Sequence, residues 1–221
     1  MLTKTNYLVD LNLIKLAYSD ELRGRIIISE PSGNIFYDPW QLKQEFIGTI
    51  WEKLYNSLPV SKGEARIIVL SPTDCYVTHA DIDDRYHLNI QGEHCYLIDL
   101  DNENMHSLHP DGVWYEMDAG RRHTAANFGR IFRVQLVVRK LLIRSNLINP
   151  VSVKLTANIK NKEHARYIFD DTLSVWLNSA NKNKLISNFD FTNGIVQFDI
   201  ESSMIEELQL HTPKEFTLEI P

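Results

Sequence analysis

Residues able to hold a first-row metal crowd into one short stretch: HADIDDRYH, residues 79 to 87, places two histidines, three aspartates and an arginine in nine positions. Imidazole and carboxylate oxygen are donors that suit Fe(II), which non-haem oxygenases hold with two histidines and one carboxylate on one face, leaving the other face open. Two apart on a strand, His79 and Asp81 would point to the same side and reach one ion. The pair alone identifies nothing. With 8 histidines and 29 acidic residues in 221 positions, about one His-x-acid pair arises by chance. The sequence supplies a second in His109-Pro110-Asp111.

A third ligand has to come from another strand, and His123 is the natural source. Between Asp81 and His123 there is room for three or four strands, enough to circle a small barrel and return. Between Asp111 and His123 there is room for one, and Asp111 precedes Gly112 in a tight turn. His79 and Asp81 are therefore preferred, and His109 and Asp111 read as turn residues. Ten residues past His123 stands Arg133, a lone cation in IFRVQLVV. Alternation puts it on a face with Gln135 and Val137, opposite Val134, Leu136 and Val138. Inside a barrel such a charge is costly unless paired. A dicarboxylate cosubstrate would pair it, and the planar guanidinium fork suits a carboxylate. The alternative is an arginine on the solvent side of an edge strand.

The elements that would position these residues are short strands. From about residue 65 to 139, ARIIVL, CYVTH, YHLNI, CYLIDL, a segment ending in His109-Pro110-Asp111-Gly112, VWYEM and IFRVQLVV alternate with turn chemistry. Regular short strands with polar breaks predict an antiparallel sandwich or barrel. Upstream, RIIISEPSGNIFY reads as a hairpin around Pro-Ser-Gly-Asn. Asp38-Pro39 then reads as the start of a helix running from Trp40 to Leu58, with apolar residues at three- and four-residue steps as far as Pro59. Its aromatic stripe reads as core. After Arg144 the order strand, helix, strand, Thr-Asn-Gly turn, strand, helix, strand suggests a small βαββαβ module of the split βαβ type. The expected division is 1-144, strands with N-terminal helical support, and 145-221, the small α+β module.

Composition bounds the function class. A net charge of -6 and a pI near 5.7 give no electrostatic footprint for nucleic acid. The N-terminal segment lacks an apolar signal core and no window approaches ~18 apolar residues, so no membrane partner is expected and the reading is cytoplasmic. Cys75 and Cys95 could pair, but neither belongs to a ligand spacing; buried or half-buried free thiols is the simpler reading.

HADIDDRYH, then GVWYEMDAGRRHTAAN, then FRVQLVV together resemble the aspartyl/asparaginyl β-hydroxylase-like family of Fe(II)/2-oxoglutarate-dependent dioxygenases, which includes bacterial L-proline cis-4-hydroxylase. The resemblance covers about residues 65 to 139. It implies an α+β, mainly β fold with a double-stranded β-helix (jelly-roll or cupin-like) core, with Fe(II), 2-oxoglutarate and O2 as cofactor and cosubstrates. It implies His79, Asp81 and His123 as iron ligands and Arg133 as the partner of the distal 2-oxoglutarate carboxylate. Arg85 and His87 would contact the cosubstrate's other end or brace the metal shell, and Asp118, Asn127 and Trp114 would shape the site. Adjacent Arg121 and Arg122 depart from the pattern, and could bind a substrate carboxylate or be surface charges. The implied reaction hydroxylates an unactivated C-H of a free amino acid or small amino-acid-like molecule, with succinate and CO2 as coproducts. A peptide or carrier-bound residue is the alternative substrate. The rival class is a non-enzymatic cupin-like binding domain. A homodimer is compatible with all of these. The inward strand faces are expected to be apolar around a few polar anchors.

Overall fold

The structure, a computed structural model, describes residues 1–19 and 21–220. It divides into two units, Met1–Thr78 with Asp84–Leu141, and His79–Asp83 with Leu142–Pro221. The first is mainly antiparallel β. Its elements are β1 (Leu2–Leu8), α1 (Leu11–Leu16), β2 (Arg25–Ile27), β3 (Ser29–Pro31), β4 (Trp40–Leu42), α2 (Ile50–Asn56), β5 (Ala65–Leu70), β6 (Asp74–Cys75), β7 (Arg85–Gln91), β8 (Cys95–Asp99), β9 (Asn104–Ser107), β10 (Val113–Met117), β11 (His123–Asn127) and β12 (Arg133–Arg139). Six strands pair in the order β1-β10-β7-β12-β5-β2, and four in the order β6-β11-β8-β9. From β5 onward the chain passes repeatedly between these two sheets.

Alternation assigns the faces of the large sheet. Tyr86, Leu88 and Ile90 of β7, Val134, Leu136 and Val138 of β12, and Ala65, Ile67 and Val69 of β5 share one core with Ile14 and Ala17 of the α1 region and Leu54, Tyr55 and Leu58 of the α2 region. On the other face Met117 packs with Cys95, Leu97 and Ala125 of the small sheet. That face also carries Arg85, His87, Asn89, Gln91, Arg133 and Gln135, all buried. The expectation of an apolar inward face around a few polar anchors fits the region of Met117 and is corrected on β7 and β12, where polar residues line the face. The helices cover the apolar side of the sheet, and the opposite side carries a polar stretch on β7 and β12 beside the apolar cluster around Met117.

Three local expectations are also corrected. The Trp40–Leu58 helix is only Ile50–Asn56: Trp40–Leu42 pairs with β3, and Gly48 at φ 80° breaks the path. Thr49 caps α2 by accepting the Trp51 N–H at 3.2 Å, while Asp38 accepts the Asn34 N–H at 2.7 Å within a turn. The expected hairpin does not form either, because β2 pairs with β5 and β3 with β4. In CYVTH only Cys75 belongs to a strand, so His79 and Asp81 sit in the connection between β6 and β7. Both cysteines are free, Cys95 buried but Cys75 exposed.

The second unit contains β13 (Pro150–Ala157), α3 (Lys162–Lys182), β14 (Ile186–Thr192), β15 (Ile195–Glu201), α4 (Ile205–His211) and β16 (Phe216–Glu219). Its strands pair antiparallel in the order β14-β15-β13-β16. Asn193 and Gly194 both take positive φ in the β14–β15 turn, the backbone a two-residue hairpin of this hand requires. Ala165, Phe169, Leu173, Leu177 and Ala180 make a buried apolar stripe along α3. Phe169 meets the rings of Phe189, Phe191 and Phe216. Among the described residues no helix is long and apolar enough to cross a membrane.

Candidate metal centre

His79, Asp81 and His123 each offer one ligand atom, and these atoms lie within 4.8 Å of one another. His79 Nε2 stands 3.7 Å from Asp81 Oδ2, with the imidazole a quarter exposed and the carboxylate buried. A loop, not strand alternation, brings that pair together. His123 opens β11, and its Nδ1 lies 2.7 Å from the Arg121 carbonyl. A carbonyl there selects the tautomer with the proton on Nδ1, which makes Nε2 the nitrogen with a lone pair able to ligate a metal. Two imidazoles and one carboxylate are the donor set that suits Fe(II) with an open face, so the residues present fit the ion.

The loop carrying His79 and Asp81 is held by α3. The Ala80 N–H donates to the Asp170 carbonyl at 3.2 Å. Asn178 Nδ2 donates to the Ile82 carbonyl at 3.0 Å and lies 3.4 Å from that of Asp81. The Asp170 carboxylate accepts from Arg166 Nε at 2.8 Å and from Ser174 Oγ at 3.3 Å. Burial, assisted by the Asp81 charge and opposed by Arg166, raises Asp170 to about 6.

The polar lining of the large sheet is rich in donors. Arg133 gives one Nη to Gln135, which passes a hydrogen bond to Asn89. Arg133 Nε and Nη1, His87 Nε2, Asn89 Nδ2 and both polar atoms of the Gln91 amide have no hydrogen-bond partner. Burial lowers the Arg133 pKa, opposed by Tyr76 and Cys95. Burial also holds His87 well below the usual histidine range, followed by the charges of Arg133, Arg85 and His123, so its imidazole is neutral at pH 7. A buried guanidinium with two idle nitrogens, beside idle amides, is a costly surface unless an oxygen-rich anion occupies it. A dicarboxylate fits that lining.

Other residues singled out in the sequence lie elsewhere. Trp114 is fully buried in the core shared with α2, where its indole N–H donates to Ser57 Oγ at 2.9 Å. It thus packs in the helix-side core and not on the polar face of the sheet, which corrects the expectation that it shapes the site. Arg121 pairs with Asp118 and Arg122 with Asp101, each at 2.9 Å, as surface ion pairs. Asn127 donates to the carbonyls of Leu70 and Ile131 and accepts the Gly129 N–H. It thereby closes the turn that leads into β12 and Arg133. Asp84 accepts the Ala119 N–H at 3.2 Å. In the second His-x-Asp pair, His109 meets Ser107 Oγ and Asp111 takes Lys4 and the Tyr115 hydroxyl. Sequence reasoning missed Asn89, Gln91, Asp170 and Asn178. The polar alternation of HLNIQ in β7 was a visible signal for the first two.

No family model matches the chain, and no curated protein matches it. Among solved structures, a prolyl-4-hydroxylase from Pseudomonas putida is similar at a TM-score of 0.37 and 14% identity, over 63% of this chain and 92% of that one.

Proposed function

We propose that this chain is an Fe(II)/2-oxoglutarate-dependent hydroxylase of a free amino acid or a similarly small amino-acid-like molecule. The passage of β5 to β12 between two antiparallel sheets supports a double-stranded β-helix for the strand-rich body. One observation carries the functional reading: a His-Asp-His cluster in a chain that also buries an arginine with idle donors on a polar sheet face. When bound, iron and 2-oxoglutarate supply the oxidation, in which O2 and 2-oxoglutarate become succinate and CO2 while a substrate C-H becomes C-OH.

The chain's own residues bind and orient. His79, Asp81 and His123 hold the metal, and the Arg121 carbonyl fixes the His123 ring. Arg133 takes the far carboxylate of 2-oxoglutarate through Nε and Nη1, with Gln135 holding its other nitrogen. Neutral His87 offers a hydrogen bond without adding a second charge. Arg85, next but one to it on the same polar face, adds positive potential for the cosubstrate's other end.

The test is anaerobic addition of Fe(II) and 2-oxoglutarate, which should produce a weak visible charge-transfer band. His123→Ala should abolish it, and Arg133→Ala should shift its appearance to much higher 2-oxoglutarate. Iron binding without such a band would refute the hydroxylase and leave a metal-binding domain. Amino acids are then screened for stimulated succinate formation.

A further inference from the structure

We infer that α3 of the C-terminal unit is the seat of the metal-binding loop, and that Asn178 is the positioning residue that sets the orientation of His79 and Asp81. The inference rests on the metal reading above for what the loop does, but its physical basis is separate.

An ordinary amphipathic helix buries one apolar stripe and leaves its other faces wet. α3 buries two stripes. Beside the apolar one, Asp170, Ser174, Asn178 and Asn181 recur at four- and three-residue steps, and all four are buried. A second buried stripe made of polar side chains is expensive unless each finds a partner, so this stripe has to face something with matching donors and acceptors. For its first three members that is the backbone of residues 79 to 83, one another or, for the Asp170 carboxylate, also Arg166. Asp170 offers its carbonyl to the Ala80 N–H, and its carboxylate holds Ser174. Asn178 gives one N–H to the Ile82 carbonyl, with the Asp81 carbonyl in reach of the same amide nitrogen. The two ends of the loop segment are therefore tied to positions eight residues apart on one rigid helix, about 12 Å along its axis.

This explains why His79–Asp83 groups with residues after 141 and not with the strands on either side of it. A short connection between strands does not by itself hold two ligands within an ångström of a required geometry. A helix that fixes the backbone on both sides of Asp81 can. Asn178 reaches the loop through the backbone carbonyls of Asp81 and Ile82, so it acts by positioning.

The experiment uses the full chain. Asn178→Asp keeps the shape but turns the donor into an acceptor facing two carbonyls. Asn178→Ala removes it. Asn181→Ala is the control, on the same buried stripe but bonded to the Ile143 N–H at 3.1 Å. Hydrogen exchange of a peptide spanning residues 76 to 86 is followed in metal-free protein, and cobalt(II) chloride is titrated separately. Both Asn178 variants should speed exchange of the loop amides and weaken Co(II) about tenfold, the scale of lost outer-sphere support. Asn181→Ala should do neither. Loop exchange within twofold of wild type in both Asn178 variants overturns the inference, as does faster exchange with unchanged Co(II) affinity. Wild-type protein that binds no Co(II) defeats the metal reading instead, and the exchange data still decide whether α3 holds the loop.

Discussion

Arg133 carries a conflict between folding and binding. Its side chain is buried, two of its nitrogens have no partner, and burial lowers its pKa. Replacing a poorly compensated buried charge by an apolar chain of similar size is often neutral or stabilising by roughly 1–4 kcal/mol. Arg133→Met should therefore leave the ligand-free protein as stable or about 1 kcal/mol more stable in urea. It should weaken 2-oxoglutarate roughly 30-fold, the value of a charge-assisted pair of bonds. Arg133→Lys keeps the charge without the fork and should fall between. Glu64 shows the opposite balance. Burial alone would raise its pKa, but Arg66, Arg139 and Arg25 outweigh burial and hold it at about 2 against an ordinary 4.5. A depressed carboxylate stabilises the fold above its unfolded value, and that stability is lost as the pH falls from about 4.5 toward 2. Glu64→Gln should cost roughly 3 kcal/mol at pH 7 by stranding buried Arg66, and should flatten the stability profile below pH 4.5 in urea melts at stepped pH.

At the scale of elements, α2 offers the sharpest check. Thr49, not Asp38, supplies its cap, so Thr49→Ala should destabilise the protein by about 1 kcal/mol in equilibrium unfolding. The spacing of Phe46, Ile50, Trp51, Leu54, Tyr55 and Leu58 pointed to a longer helix because all six pack on one core. Periodicity reports what the core takes in, and a strand, a turn and a short helix lying over the same core can satisfy it in succession. Gly48 in the left-handed region is the local cause of the break, and nothing in its neighbours' types announces it. Most strands from β5 to β12 were legible, though β6 is far shorter than CYVTH and β11 was not among the expected runs; their polar breaks are real turns, as at Gly112, whose φ of 73° favours glycine and whose added Cβ would lie 2.5 Å from the Val9 carbonyl. His79, Asp81 and His123 were legible as a set because their spacing survives a mistake about the local element: a loop delivers the pair that a strand was expected to deliver. The seat on α3 was hidden. Asp170, Ser174 and Asn178 are polar residues at helical spacing, and nothing local distinguishes a wet polar stripe from a buried one.

At the scale of the whole molecule, the groups waiting for partners make stability depend on ligand. Anything that binds the folded chain alone adds RT ln(1 + [L]/Kd), about 2.7 kcal/mol at a hundredfold excess over Kd. For a chain of this size each kcal/mol moves the midpoint by roughly 2–4 °C, so saturating Co(II) should raise Tm by about 5–10 °C and EDTA should reverse it. 2-Oxoglutarate, which would reach both the metal and Arg133, should add a further increment of similar size when Co(II) is present and little when it is absent. Differential scanning fluorimetry in the four combinations of metal and cosubstrate reads this directly. The variants separate the two contributions: His123→Ala should lose both increments, whereas Arg133→Met should keep the metal's and lose most of the cosubstrate's. An increment from 2-oxoglutarate that is equal with and without metal would place its binding away from His79, Asp81 and His123. The polar lining around Arg133 would then have to be assigned to a different anion.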